Sequence, residues 1–237
     1  MMGVMTTPGS AVVEGASPFA HLHVEHTSTV ERTAEELRRA IFDGEIESGT
    51  ALREVALAES LGVSRPTIRE ALGVLVAEGL ATREPHRGVH VVTPERESVH
   101  DVCLARWVLE GAGVRSWAAA TEEQREHVRS TLSAYTTAVR QKASYQELNE
   151  RHLAFHVSLV ALTGSPRLVA MADGLMDELK LALAQVERIN RNAHDQAETH
   201  LALVRLLEDC DVEGATEFLR RHLADAETEI VEALGLV

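Results

Sequence analysis

The spacing of apolar residues predicts a mainly helical chain with one small β-hairpin. Over residues 29–79, apolar positions recur every three or four residues in three segments, which is typical of amphipathic helices. Over residues 80–93, two short β-like runs flank Pro85–Gly88, which is the pattern of a hairpin. From residue 97 onward only helical spacing occurs, in segments at about 97–119, 122–141, 144–163, 166–187, 193–208 and 212–234. Because their connections are short, we expect an antiparallel bundle of about six helices.

Helix-capping residues and turn residues divide the chain further. Ser64 is a good N-cap for the third helix, and Pro66 falls in its first turn, where the missing N–H costs nothing. Gly79 ends that helix. The first 28 residues mix Gly, Pro, Ser, Thr and Val without a period. The predicted units are a mobile tail at residues 1–28, a first domain at 29–94 and an all-helical second domain at 97–234.

Composition agrees with a globular protein built from packed helices. The 237 residues are 45% hydrophobic, 25% charged and only 3% aromatic, so the core must consist of aliphatic side chains. Cys103 and Cys210 are too few for a disulfide framework or a thiolate metal site. No apolar run approaches the ~18 residues of a membrane span, and residues 1–28 lack the Lys, Arg and apolar core of a secretory signal. We therefore expect a cytoplasmic protein without a membrane partner.

The net charge of −14 excludes a uniformly basic nucleic-acid coat, but DNA binding needs only a local patch. Residues 64–91 carry four arginines against three glutamates and are the least acidic stretch. They belong to the order helix, short helix, Gly-containing turn, helix, β-hairpin. That order is typical of a winged helix-turn-helix. Its recognition helix, which is the helix after the turn, enters the DNA major groove.

The residue types in this segment suit contacts to DNA. Arg65 and Arg69 are four residues apart, so they share one face of the recognition helix. Their guanidinium groups can pair with the O6 and N7 atoms of guanine. Ser64 and Thr67 can reach phosphates at the start of that helix, and Arg87 at the wing tip can touch the backbone or the minor groove. The alternative is a solvated helix face that carries two arginines.

The sequence LAESLGVSRPTIREAL, Leu57 to Leu72, resembles the GntR family of bacterial transcription regulators, and the match continues through Glu78-Gly79-Leu80 to Gly88. The all-helical remainder is similar to the effector (FCD) domain of the FadR-type branch. Its six helices are closer to the VanR-like subset than to the seven-helix, acyl-CoA-binding one. The DNA-contacting residues that the resemblance implies are Arg53, Arg65 and Arg69, assisted by the wing around Arg87 and Gly88.

Four histidines of the second domain are candidate metal ligands. His152 and His156 are four residues apart and project from one helix face, a spacing suited to joint ligation by imidazoles. This is not the HExxH motif, because Leu153 follows the first histidine. His200 and His222 lie on two further helices, so four histidines from three helices can converge inside the bundle. Each histidine alone is more often an ordinary surface or core residue.

The resemblance turns this spacing into a specific expectation. Many FadR-type effector domains bind a divalent metal through one Asp and three His, with the Asp four residues before the first His. Here Phe155-His156 matches that pattern, and His200 and His222 fall in the expected helices, but His152 occupies the position of the Asp. An imidazole in place of an anionic oxygen ligand favours Zn²⁺ or Ni²⁺ over Mg²⁺ or Mn²⁺.

Arg106 is the candidate effector-binding residue. Arg106 and Glu110 are four residues apart, and the simplest interpretation is an ordinary surface ion pair. The family pattern of Arg followed by Leu-Glu implies instead that Arg106 faces a ligand cavity. A guanidinium fork is well suited to a carboxylate. We therefore predict that a small carboxylate metabolite is held between Arg106 and the metal.

These observations predict a ligand-responsive transcription regulator, a repressor like most of the family. It would bind a near-palindromic operator as a homodimer, with one recognition helix in each half-site. A metal-dependent hydrolase that uses the histidine cluster is the alternative, but the sequence shows no general base paired with the histidines and no nucleophile elbow. A third possibility is a helical interaction module that does not bind DNA. Saturable, salt-sensitive binding to DNA separates the first reading from the other two.

Overall fold

The computed structural model describes residues 28–236. The tail predicted at residues 1–28 lies outside the described part except for Ser28, which caps the first helix. Over residues 28–236 the mainly helical fold with one β-hairpin is confirmed, and six α-helices follow the hairpin. Within the described residues the helices are α1 (Thr29–Phe42), α2 (Glu54–Leu61), α3 (Arg65–Ala77), α4 (Arg96–Arg115), α5 (Glu122–Gln141), α6 (Tyr145–Ala161), α7 (Pro166–Asn190), α8 (Ala193–Glu208) and α9 (Val212–Ala233). The strands are β1 (Ala81–Glu84) and β2 (Gly88–Val91).

Local capping fixes the helix-turn-helix. Ser28 caps α1 in a capping box with Glu31, and Ser64 caps α3 by accepting a hydrogen bond from the Thr67 N–H at 3.2 Å. Gly62 joins α2 to α3 with a φ of +66°, a left-handed conformation that costs little only for glycine. The turn between the two helices is therefore specified by adjacent residues of the sequence.

The wing completes the first domain. Strands β1 and β2 pair antiparallel with Ala81 opposite Val91. The side chains of Val89 and Val91 in β2 are buried. These side chains join a cluster that includes Ile68 and Leu72 of α3, both fully buried. The recognition helix is thus held rigidly by its apolar face while its polar face remains outside.

The second domain is a helical bundle in which α4 packs against α9, and α6 packs between α5 and α7. Phe155, Leu159, Leu207 and Leu219 are fully buried in its main cluster. The segment predicted at 97–119 is divided: α4 ends at Arg115, and a single 3-10 turn covers Trp117–Ala119. At the C-cap of α4, the Ser116 hydroxyl donates to the Ala112 carbonyl at 2.9 Å.

Helix α7 contacts both domains. Leu181 and Ala184 belong to the apolar cluster of the first domain, and Gln185 donates a hydrogen bond to the Ser48 hydroxyl on the same side. Leu183 and Val186 project from the other side of α7, where they line a cavity in the bundle. One helix therefore separates that cavity from the DNA-binding domain.

A candidate DNA surface and a buried histidine cluster

The start of α3 presents a polar surface. The Ser64 and Thr67 hydroxyl oxygens lie 2.8 Å apart, and Ser64 also caps the helix, so both side chains are fixed in place. Arg65 and Arg69 have 59% and 55% of their side-chain surface exposed. These four candidate residues therefore share one end of the recognition helix. Free backbone N–H groups at such an end also attract phosphate.

Glu54 at the start of α2 was not singled out from the sequence, yet it contacts the recognition arginines. Arg69 donates to it twice, from Nε at 3.0 Å and from Nη2 at 2.8 Å, while Nη2 of Arg65 lies 3.8 Å away. The hydrogen bonds from Arg69 lower the pKa of Glu54. Glu54 thus accepts from the two guanidinium nitrogens of Arg69 that could otherwise bind a phosphate or a base edge.

The remaining candidate DNA residues lie at the edges of the same domain. Arg53 is exposed directly before α2. Arg87 is 73% exposed at the wing tip and donates to Glu84 at 2.8 Å. Gly88 has a φ of +88°, which any other residue would adopt only with strain, so the tip conformation requires a glycine there.

The four histidines singled out in the second domain converge. His152 and His156 come from α6, His200 from α8 and His222 from α9. The Nε2 atoms of His152 and His156 are 3.1 Å apart, and those of His200 and His222 are 3.2 Å apart. Nitrogens bound tetrahedrally to zinc, each about 2.0–2.1 Å from the ion, lie about 3.3 Å from one another. Among the described residues, the ligand nitrogens of His152, His156 and His200 all lie within 4.8 Å of one another, so these three side chains could hold a metal ion, and His222 contacts His200 beside them.

The protonation state of the cluster also fits ligation. Burial, together with the positive charge of Arg106, lowers the pKa of His152 to about 3 and that of His222 to about 4. Burial also holds the pKa values of His156 and His200 well below the usual range. All four imidazoles are therefore neutral near pH 7, and the neutral imidazole is the form that binds a metal.

Glu110 was paired with Arg106 from the sequence, but its contact with the histidine cluster was not predicted. Its Oε1 accepts from Arg106 Nε at 2.7 Å, and its Oε2 lies 2.7 Å from His156 Nδ1. The surface interpretation of the Arg106–Glu110 pair is wrong, because the two side chains are only 2% and 0% exposed. Burial raises the pKa of Glu110 while Arg106 acts to lower it. The (i, i+4) spacing was visible in the sequence, but the contact with α6 depends on how the helices pack.

The position of Glu110 determines which His156 nitrogen faces the cluster. A carboxylate at Nδ1 accepts the ring proton there, so the lone pair of Nε2 points toward the other histidines. Such a carboxylate behind a metal-binding histidine fixes the tautomer and the ring orientation. Glu110 is thus a positioning group and not the exposed base that a hydrolase would need.

A cavity adjoins the cluster. Arg106, His152, His156 and His222 line one side of it. Among the described residues, Nη2 of Arg106 is buried without a hydrogen-bond partner. A buried guanidinium nitrogen without an acceptor is costly, so it is a strong donor for an anion that enters the cavity.

Comparison with known proteins finds a family match for each of the two domains. The profile described as bacterial regulatory proteins, gntR family, matches residues 29–91, and the FCD domain profile matches residues 101–225. The chain belongs to the GntR family of bacterial regulatory proteins. It carries the DNA-binding domain of that family followed by an FCD domain, as the FadR-type branch does.

Relatives extend over nearly the whole chain. The HTH-type transcriptional regulator BphR of Paraburkholderia xenovorans is 27% identical over an alignment of 244 positions, gaps included. The alignment covers 98% of this chain and 96% of the relative. The HTH-type transcriptional repressor GlaR of Escherichia coli is 29% identical over 202 residues, covering 79% and 89%. The crystal structure of a GntR regulator from Rhodococcus sp. RHA1 superposes with a TM-score of 0.69 at 27% identity, covering 87% of this chain and 99% of that one.

The family decides between the three functional readings. This GntR regulator is a DNA-binding transcription regulator and not a metal-dependent hydrolase, and a purely helical interaction module is also excluded. Among the helices of the described residues, none combines the length and apolarity needed to cross a membrane.

Proposed function

We propose that this regulator is a repressor that binds a near-palindromic operator as a homodimer in the bacterial cytoplasm and is released by a small carboxylate metabolite. Residues 29–94 would bind the DNA, and residues 97–234 would bind the effector and form the dimer. The relative GlaR is named a repressor. A homodimer follows from the operator symmetry, because each recognition helix covers one half-site.

The proposed DNA contacts are the side chains that surround the exposed end of α3. Arg65 and Arg69 would read base edges, and Ser64 and Thr67 would contact phosphates. Arg53 beside α2 and Arg87 with Gly88 at the wing tip would extend the contact along the backbone. Exposure of the arginines and the fixed cap of α3 support this assignment.

The proposed metal site consists of His152, His156, His200 and His222. Four neutral imidazoles with Nε2 pairs at 3.1 and 3.2 Å are suited to Zn²⁺ or Ni²⁺ and offer no anionic oxygen for Mg²⁺ or Mn²⁺. When bound, the ion supplies positive charge beside the cavity. Within the chain, Glu110 orients His156 toward that ion and holds Arg106 by its Nε.

The observation that carries the proposal is the unpartnered Nη2 of Arg106 in the cavity that three of the histidines line. Because Glu110 takes only Nε of Arg106, the end of the guanidinium remains available for a second carboxylate. A carboxylate there would complete the hydrogen bonding of Arg106 in a water-poor environment, where charge-assisted bonds are strong.

Helix α7 supplies a route from the cavity to the DNA-binding domain. Leu183 and Val186 line the cavity, whereas Leu181 and Ala184 pack into the first domain. The amide of Asn149 on α6 also donates to the carbonyl of Lys180 at 2.7 Å, so the helix that carries two of the histidines is tied to α7. An effector that prefers one position of α7 would shift the spacing of the two recognition helices.

The test is DNA release measured with the full-length protein. Fluorescence anisotropy with DNA from upstream of its own gene should show saturable, salt-sensitive binding, and a panel of small carboxylates should contain members that reverse it. Arg106→Ala should abolish the response to those carboxylates and retain DNA binding. Arg115→Ala, an exposed arginine on the same helix, is the control and should respond normally. An unchanged response in Arg106→Ala would overturn the assignment.

A further inference from the structure

The cavity has two chemically different ends. Arg106, His152, His156 and His222 form the inner end, where the positive charge belongs to Arg106 because these three imidazoles are neutral. The opposite end is formed by the side chains of Asn192, Gln196 and Glu229, which lie at the start of α8 and on α9. Since Arg106 and a metal account for a carboxylate at the inner end, the acceptor group at the other end is unexplained.

Glu229 is held in place by two neutral amides. Asn192 Nδ2 donates to its Oε2 at 2.9 Å, and Gln196 Nε2 donates to the same oxygen at 3.4 Å. Over residues 28–236, no lysine, arginine or histidine forms an ion pair with this glutamate. Among the described residues, the hydrogen-bond partners of Glu229 are therefore uncharged amides, and a donor on a ligand would gain a charge-assisted hydrogen bond there.

Part of this end of the cavity is shared with the protein surface. Glu229 and Gln196 line both the cavity and a groove on the protein surface, which also includes Asp225. The cavity encloses about 30 Å³, and one water molecule needs roughly 10–15 Å³ by this measure. An effector larger than water must therefore widen the cavity, and an effector that enters from the groove meets Glu229 and Gln196, which line both.

We propose that Glu229 selects effectors that carry a hydrogen-bond donor, an ammonium or a hydroxyl group, at the end away from the carboxylate. The ligand class is then amino or hydroxy carboxylic acids, and plain alkanoic acids are disfavoured. This inference rests on the proposed function, because Arg106 must hold the carboxylate end. Asn192 and Gln196 position Glu229 in the free protein and become available to the effector when the contact opens.

A merely structural role for Glu229, as a tie between α8 and α9, makes a different prediction. Glu229→Gln keeps the length of the side chain and an oxygen that can accept from Asn192, so the tie is retained and the charge is lost. Asp225→Asn is the matched control, since it removes one charge from α9 at a residue of the outer groove that does not line the cavity.

The experiment measures binding of matched acids to zinc-loaded, full-length protein by titration calorimetry. Acetate, propionate and butyrate are compared with their amino partners, glycine, β-alanine and 4-aminobutyrate, and with the corresponding hydroxy acids. In at least one set, the amino or hydroxy acid should bind about tenfold or more tightly than the plain acid, the effect of one charge-assisted hydrogen bond. Glu229→Gln should lose this preference, and Asp225→Asn should keep it.

The outcomes distinguish a failure of selection by Glu229 from a failure of the carboxylate site at Arg106. Equal binding of plain and substituted acids, or a preference that survives in Glu229→Gln, overturns selection by Glu229 and leaves the carboxylate site intact. Binding that is unchanged in Arg106→Ala overturns the carboxylate site itself. Absence of binding by every acid in the panel contradicts both, because no member would then recognise the inner end.

Discussion

Two arginine–glutamate pairs lie at the candidate DNA surface and at the buried histidine cluster, and they differ in burial more than in geometry. Arg69 and Glu54 meet at 2.8 Å on the DNA-binding domain, with 55% and 25% of their side chains exposed. Arg106 and Glu110 meet at 2.7 Å inside the bundle, with 2% and 0% exposed. The same chemistry therefore serves two purposes. Water or phosphate can replace Glu54 at little cost, whereas Glu110 has no substitute and fixes its neighbours in place.

The largest expected effect comes from breaking the buried pair. Glu110→Gln should lower the free energy of unfolding by about 3–5 kcal/mol, because it leaves the buried guanidinium of Arg106 without a compensating charge. Chemical denaturation of the metal-free protein measures this difference. Glu54→Gln is the matched control and should leave the unfolding free energy unchanged within error. Equal effects of the two substitutions would show that burial does not distinguish the pairs.

The second effect belongs to the DNA surface. Arg65→Ala and Arg69→Ala should each weaken binding to the operator by about ten- to a hundredfold, the range for losing one bidentate contact to a base. Arg140→Ala, an exposed arginine on α5, is the control and should bind as the unchanged protein does. Anisotropy titrations at a fixed salt concentration give the comparison. Full operator affinity in both recognition-helix variants would remove α3 from the interface.

The third effect is the pH dependence of stability in the metal-free protein. The buried histidines have lowered pKa values, about 4 for His222 and about 3 for His152, so the unfolded chain binds protons that the folded chain does not. The contribution of these histidines to the unfolding free energy should therefore be at its maximum above pH ~6.5. It should fall as the pH drops toward ~4, by about 1.4 kcal/mol per pH unit for each histidine.

His222→Gln tests the sign and size of this slope. The variant should show a shallower decline in denaturation midpoints measured between pH 7 and pH 5, because one buried neutral imidazole is gone. His127→Gln, at an exposed position on α5, should keep the slope of the unchanged protein. A slope that is the same in all three proteins would mean that the cluster does not exclude protons.

The smallest effect concerns the exposed pair. Glu54→Gln should raise DNA affinity about two- to threefold at low salt, since it removes a negative charge beside the phosphates and frees Arg69, and the gain should vanish at higher salt. Anisotropy titrations over a salt series measure it. A loss of affinity would show instead that Glu54 positions Arg69 for the DNA.

The first domain could be predicted closely from the sequence because its signals are local. Ser64, Pro66 and Gly62 specify a cap, a first turn and a left-handed connection within a few residues of one another. Each acts through its own backbone conformation, which depends little on distant parts of the chain. The capped start of α3 and the turn before it were therefore visible without a structure.

The candidate site could be predicted only in part. His152 and His156 share a helix face by spacing alone, and their neighbours His200 and His222 could be assigned to helices. The contact of Glu110 with His156 joins residues of α4 and α6, and no local pattern determines that distance. The same holds for the contacts of Glu54 with Arg69. Packing between helices decides which charged groups are buried together, and it depends on the whole fold.

The most direct test of the account is the metal content of tag-free protein purified without added metal, measured by elemental analysis. We expect close to one equivalent of zinc or nickel per chain, held by the four neutral imidazoles that Glu110 and the bundle bring together. His156→Ala and His200→Ala should reduce that content sharply. Protein that retains no metal after soaking and desalting would contradict the account of the cluster as a metal centre.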